Sequence, residues 1–199
     1  MRINPKTLGR YEVPDSATGV ALDIGANVGN WFSKYAGQFE LVHAYEPLLV
    51  CFDECCKKAS KIPSVHVFQQ AISDKRRIVR MMEHQRGTAG SSAVDGVPQH
   101  HDGWSKPLGR TTAIPLSVAI ERTGSTAIDY LKVDCECSEH PAMVGADLSR
   151  VRFIGVELHW QLGAKKWRQL VEHIEDTHYW RKSPVWSPHR HNEVLAIHK

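Results

Sequence analysis

Short apolar runs alternate with segments of helical spacing along most of the chain. Val20–Ile24 (VALDI), Leu41–Tyr45 (LVHAY) and Val65–Gln69 (VHVFQ) read as buried strands, with helices expected over Val28–Tyr35 and Leu48–Ser60. Ile78–Met82 reads as another short extended piece. Further on, the pattern gives a helix at Pro115–Arg122, a strand at Ile128–Val133 and a helix at Glu139–Leu148. A strand at Val151–Leu158 and an amphipathic helix at Lys165–Asp176 follow. Such alternation argues for an α/β fold with a mostly parallel sheet built from βαβ units. His178–Trp180 and Asn192–His198 flank a Pro-rich turn and predict an antiparallel hairpin at the sheet edge. Residues 1–19 precede the first strand as an N-terminal extension.

From 84 to 110 the pattern dissolves into Gly, Ser, Pro and His with no sustained period. This reads as a long loop on the substrate side, since loops of that length inside a domain are commonly functional. His100, His101, Asp102 and Trp104 within it read as a solvated stretch. Gly90–Val94 and Pro184–Arg190 are candidate walls of a cleft.

A length of 199 residues favours one domain over residues 1–199. The composition, 42% apolar and 24% charged, is that of a globular protein. No apolar run approaches the ~20 residues of a bilayer span, and the first residues lack the apolar stretch of a secretory signal. A cytoplasmic location without membrane partners is the expectation. The five cysteines, two of them adjacent, make a disulfide framework or an ordinary zinc site unattractive. A net charge of +3 with no long basic stripe argues against nucleic acid as partner.

The first strand runs into DIGANVG. In an open parallel sheet, ligands bind beyond the carboxyl ends of the strands. Gly25 and Gly29 allow backbone conformations and close approaches that other residues do not. A dinucleotide site prefers G-x-G-x-x-G, whereas here Asn27 replaces the middle glycine and Asp23 puts a carboxylate before the turn. An acid there suits a ligand with an ammonium group and no phosphate, such as S-adenosylmethionine (SAM). Glu46, at the end of the second strand and 21 residues after Gly25, stands where an acid can take ribose hydroxyls.

Taken in order, LDIGANVGNW, HAYEP, VFQQAISD, DYLKVDCECSEHPAMVGA and FIGVELH resemble the FkbM-type family of SAM-dependent methyltransferases. The resemblance implies the Rossmann-like, seven-stranded class I methyltransferase fold, helices on both faces of the sheet, and O-methylation of a hydroxyl as the activity. It implies that Asp23, Gly25, Asn27 and Gly29 form the cofactor turn, that Glu46 holds the ribose, and that Gln70 and Ala71 contact the adenine. The family's fourth strand is similar to K-[IV]-D-x-E-G-x-E. Lys132, Val133, Asp134, Glu136 and Glu139 match it, but Cys137 stands at the glycine.

A hydroxyl acceptor gains from a base that takes its proton as the methyl group arrives. Asp134 and Glu136 follow the fourth strand, and His159, whose ordinary pKa suits base work near neutrality, follows the fifth. Lys132 is a further catalytic candidate or a buried partner for Asp134 or Glu157. No metal is favoured, although Asp134, Glu157 and His159 carry the donor types for a divalent ion. The leading expectation is an O-methyltransferase acting on a small metabolite, a saccharide among the options. A methyltransferase-like binding module without catalysis and a nucleic-acid methyltransferase are the alternatives.

Overall fold

The computed structural model describes residues 11–84, 87–93, 104–188 and 192–199; for 83–84, 87–93 and 104–106 it describes backbone only. The principal sheet is built from β1 (Val20–Ile24), β2 (Leu41–Tyr45), β3 (Val65–Phe68), β8 (Ile128–Val133), β9 (Val151–Leu158), β10 (His178–Trp180) and β11 (Asn192–His198). Its seven strands run in the order β10-β11-β9-β8-β1-β2-β3. All pairings from β9 through to β3 are parallel, while β11 is antiparallel to both β9 and β10. The expected terminal hairpin is present, with its second strand inserted between β9 and the edge.

Strands buried on both faces need apolar side chains on both, which is why VALDI and LVHAY lack a clean alternation. One face carries Ala21, Val42, Ala44, Tyr130 and Phe153. It packs on Trp31 and Phe32 of α1 (Asn30–Tyr35), on Phe39, and on Cys55 of α2 (Leu49–Ala59). The opposite face carries Leu22, Ile24, Leu131, Val133, Ile154 and Val156. It packs on α3 (Leu116–Arg122), α4 (Glu139–Met143) and α5 (Gly163–Glu175). Helix α5 presents Trp167, Leu170, Val171 and Ile174, an i, i+3, i+4, i+7 stripe, to the sheet. At ~1.5–3 kcal/mol for each fully buried large apolar side chain, that stripe supplies most of the docking energy of the helix.

The described parts of 84–110, residues 84, 87–93 and 104–110, are strand and not the loop that their composition predicts. β5 (Arg77–His84), β6 (Gly87–Ala93) and β7 (Trp104–Pro115) join β4 (Ala71–Ser73) in a second sheet of order β4-β7-β5-β6. Two register shifts in the β5–β7 pairing, between Met81 and Met82 and between Glu83 and His84, break the period-two pattern. The Gly- and Ser-rich β6 pairs through its backbone despite a composition poor in strand formers. His100, His101 and Asp102 lie outside the described residues. Two helices are shorter than expected: α1 starts at Asn30 after a left-handed Gly29, and α4 ends at Met143, before Val144 turns extended. Among the described residues no helix is long and apolar enough to cross a membrane.

Candidate active site at the strand ends

The chain passes from β1 to β2 and β3 on one side and returns to β8 and β9 on the other. The order therefore reverses beside β1, and open α/β sheets bind their ligands at the carboxyl ends of the strands at such a point, here β1 and β8. Asp23 is wholly buried there, in register with Lys132 of β8. The Lys132 Nζ lies 2.9 Å from Asp23 Oδ1 and donates to the carbonyls of Gly25 at 2.6 Å and Ile24 at 3.4 Å. Burial opposes the ammonium charge, but Asp23 and Asp134 outweigh it and hold Lys132 raised. Asp23 shows the converse pull, since burial lifts its carboxyl more than Lys132 lowers it. The direction we adopt is an ammonium on Lys132, because two carboxylates and two carbonyls surround it. A lysine held this way is no proton acceptor; it is the internal counter-charge of the turn.

The turn itself is backbone architecture. Gly25 has φ +76°, and a Cβ there would stand 1.8 Å from the Asp134 carbonyl oxygen. Asp134 donates its own N–H to Ile24 at 3.0 Å, so the loop after β8 lies directly against this glycine. Asn27 and Gly29 are also left-handed, at φ 51° and 75°. The Asn27 N–H donates to Glu46 Oε2 at 2.8 Å, while Glu46 Oε1 accepts the Leu48 N–H at 2.9 Å. Burial lifts the Glu46 carboxyl to about 7. The expected ribose ligand thus also stitches the turn to the start of α2. Each carboxylate oxygen has two acceptor sites, so Glu46 keeps capacity for ribose hydroxyls. Cys55 of α2 donates its thiol to the Asn27 carbonyl at 2.8 Å.

Asp23, Gly25, Asn27, Gly29 and Glu46 therefore converge on one turn. Gln70 and Ala71 stand apart, beyond the end of β3. The Gln70 Oε1 accepts from Arg122 at 2.7 Å, and buried Ala71 opens β4 opposite Ala113.

A second group gathers at the ends of β8 and β9. Buried His159 has Nε2 3.1 Å from Glu136 and Nδ1 3.0 Å from Glu139. Burial lowers its basicity, yet Glu139 and Glu136 prevail and raise it well above its usual value. A carboxylate at each ring nitrogen favours the protonated ring, which disfavours in this arrangement the general-base role that its ordinary pKa invites. Asp134 is the opposite case. Burial would lift its carboxyl, but Lys132, 4.0 Å away, and the Tyr11 hydroxyl keep it below the usual range. Glu157 is lifted to about 7 by burial and by Asp134 beside it. Two carboxyls this close do not both stay ionised, and the opposite directions of their shifts favour the proton on Glu157 over Asp134.

Glu139 was read from the sequence only as a family match in a helix's first turn. In the fold it is fully buried, and its Oε1 accepts the N–H groups of Cys135 and Cys137, both at 3.2 Å. It thereby fixes a loop in which Glu136 and Cys137 are both left-handed, φ 49° and 74°. Tyr11 was missed altogether, and no local motif marks it.

Asp134, Glu157 and His159 place donor atoms within 4.8 Å of one another. Both His159 ring nitrogens already face carboxylates, Nε2 that of Glu136 and Nδ1 that of Glu139, so neither is directed to an ion in this arrangement.

No curated protein sequence matches the chain. The sequence profile of the family described as "Methyltransferase FkbM domain" matches residues 23–183. Among solved structures, methyltransferase FkbM from Methylobacillus flagellatus is similar at TM-score 0.56 and 16% identity, over 98% of this chain and 50% of that one. The present chain thus spans about half the length of that relative. The Streptococcus mutans protein SMU.1697c in complex with SAH is similar at TM-score 0.54 and 9% identity, over 100% of both chains. A fibrillarin pre-rRNA processing protein from Methanococcus jannaschii is similar at TM-score 0.53 and 9% identity, over 94% of this chain and 69% of that one. At such identities the structural likeness concerns the fold.

Proposed function

The chain belongs to the FkbM methyltransferase domain family, and from that premise we propose that it transfers a methyl group from SAM to a hydroxyl of a sugar or other small metabolite, with Asp134 as the base. The observation that carries this reading is the position of Asp134. A carboxylate held ionised stands beside the glycine turn, its backbone bonded to Ile24 and its carbonyl closing on Gly25.

The turn fits the cofactor. Gly25 lets the turn after β1 close against the loop that carries Asp134, and Glu46 offers acceptor sites for ribose hydroxyls at the end of the neighbouring strand. When bound, SAM supplies an electrophilic methyl group on a sulfonium centre. Asp134 takes the proton of the acceptor hydroxyl as the oxygen–carbon bond forms and the carbon–sulfur bond breaks. Lys132 keeps Asp134 anionic before the transfer and offsets Asp23 throughout. His159, locked between Glu136 and Glu139, fixes the loop that presents Asp134. Alignment of the acceptor along the breaking bond supplies a large part of the rate, and the groups that recognise it lie on the loops at this edge.

The first test is calorimetric titration of the purified protein with SAM, its demethylated product and NAD. Saturable binding of the first two, weakened at least tenfold by Glu46→Gln, is the expected result and opens an acceptor screen with and without divalent metal. Absence of SAM binding at millimolar concentration overturns the reading. Binding without turnover on any hydroxyl acceptor favours a binding module instead.

A further inference from the structure

The described part of the segment before β1, residues 11–19, is tied closely to the sheet. Residues 11–19 form a strap across the sheet face that carries Asp23, Lys132 and Glu157, and every few residues it is pinned. Tyr130 donates its hydroxyl to the Glu12 carbonyl at 2.9 Å, and Tyr35 donates to the Tyr11 carbonyl at 3.3 Å. Gln38 donates to the carbonyls of Pro14 and Ala17 at 2.7 and 2.8 Å. Asp129 accepts the N–H groups of Thr18 and Gly19, both at 2.8 Å, and Arg181 pairs with Glu12. The sheet even leaves room for one of these pins, since a Cβ at Gly155 would stand 2.0 Å from the Tyr130 hydroxyl.

What the strap delivers is Tyr11. Its ring is buried, with Lys132 Nζ 5.5 Å from the ring centroid, and its hydroxyl donates to Glu157 Oε2 at 3.2 Å. The same hydroxyl faces Asp134. A residue that only filled space here would be phenylalanine, because a buried hydroxyl is costly unless bonded. Instead the single phenol proton lies between two carboxyls, donated to Glu157 and facing Asp134.

We propose that Tyr11 is a positioning residue of the transfer site: its O–H, fixed by the pinned strap, donates to Glu157 and faces Asp134, and so orients both carboxyls for the acceptor. The inference rests on the reading of Asp134 as base. The other charged groups facing the pair are Lys132 from β8, Asp23 from β1, Glu193 from β11, and Glu136 and His159 from the loops after β8 and β9. None of these is supplied by the strap, so Tyr11 can be altered while they stay in place.

The test uses the full chain with carbon-13-labelled aspartate and glutamate carboxyls, titrated by NMR in the wild type and in Tyr11→Phe, alongside SAM calorimetry. Loss of a donor to a carboxylate raises its pKa. The Asp134 midpoint should therefore rise by about one unit or more in Tyr11→Phe, with SAM affinity within about twofold of wild type because the glycine turn is untouched. A fluorinated tyrosine at position 11 keeps the size and strengthens the donor, so it should move the midpoint down; it also serves if Tyr11→Phe fails to fold. An Asp134 midpoint that responds to neither change overturns the proposal. A midpoint that moves in a protein that does not bind SAM keeps Tyr11 as the organiser of the pair and removes the transfer reading instead.

Discussion

The turn after β1 and the cluster after β8 and β9 lie side by side, yet they are made differently. The turn is largely backbone: three left-handed residues, Gly25, Asn27 and Gly29, within seven positions, held by one carboxylate from the next strand. The cluster is made of side chains drawn from distant stretches of sequence. Tyr11 meets Glu157 across a separation of 146 residues, and Glu136 and His159 from two loops close on one another and on Glu139 at the start of α4. A site made of backbone conformation depends on a few local residue types. A site made of opposed charges depends on the whole fold, and each member's protonation state is set by the others.

Lys132 belongs to both regions, so its removal is the largest perturbation expected. Lys132→Met leaves Asp23 buried without a counter-charge and exposes Asp134 to repulsion. Breaking a buried pair from one side costs about 3–5 kcal/mol, a large share of the ~5–15 kcal/mol typical of a domain. Urea unfolding of the single variant should show a loss in that range. Asp23→Asn combined with Lys132→Met should recover part of it, since the orphaned charge is gone. A single variant as stable as wild type would mean that the pair is solvated rather than buried.

How much of this was readable beforehand follows the same division. DIGANVG, the acid at 46 and the parallel order of the main strands are local signals of period and residue type, and all emerge in the fold. The second sheet was hidden because register shifts and a Gly/Ser-rich partner erase the period-two pattern. The identities of Asp134, Glu136, Lys132 and His159 as neighbours were readable from strand order. Their charge states were not. His159 has the right ordinary pKa for a base, but two carboxylates meet it only after folding. Tyr11 carried no local signal because every contact that matters is long-range.

The pH dependence of stability separates the two regions. Glu46 in the turn is lifted from its ordinary range to about 7 by burial, so between pH ~4.5 and 7 the native state holds a proton that the unfolded chain has lost. The Glu46 contribution to stability therefore falls as pH rises through that window, opposed below pH ~6.5 by buried His43 and His178, both pushed down to about 4. Glu157 in the cluster adds to the same slope through burial and Asp134. His159 acts higher: its raised value contributes stability that is full below about pH 6.5 and is lost as pH climbs through the folded-state pKa. Glu46→Gln should flatten the acidic part of the descent by an amount on the order of 2–3 kcal/mol, leaving the alkaline part intact, whereas His159→Gln should do the reverse. Chemical unfolding at half-unit pH steps distinguishes them. The readout is each variant's difference from wild type. A Glu46→Gln difference that stays constant between pH ~4.5 and 7, or a His159→Gln difference that stays constant above pH ~6.5, would contradict the corresponding assignment.

The smallest effect is expected at Cys137, where the family pattern has glycine. Its φ of 74° is a left-handed conformation, and for a residue with a side chain that strain is worth about 1 kcal/mol or more. The thiol is buried among core residues of the face that α3, α4 and α5 cover, and losing that contact costs a similar amount. Cys137→Gly therefore exchanges relief of strain against lost packing, and its net stability change should stay within about 1 kcal/mol. Cys137→Val keeps the apolar volume but brings β-branching to a left-handed position, and should cost more than about 2 kcal/mol. Matched melting curves read both. If glycine and valine were equally tolerated, backbone conformation would not be what the family glycine provides, and space for a ligand would be the remaining physical reason for it. If only valine fails, Cys137 is a side chain that the loop accepts at near-zero net cost because Glu139 already holds its backbone from below.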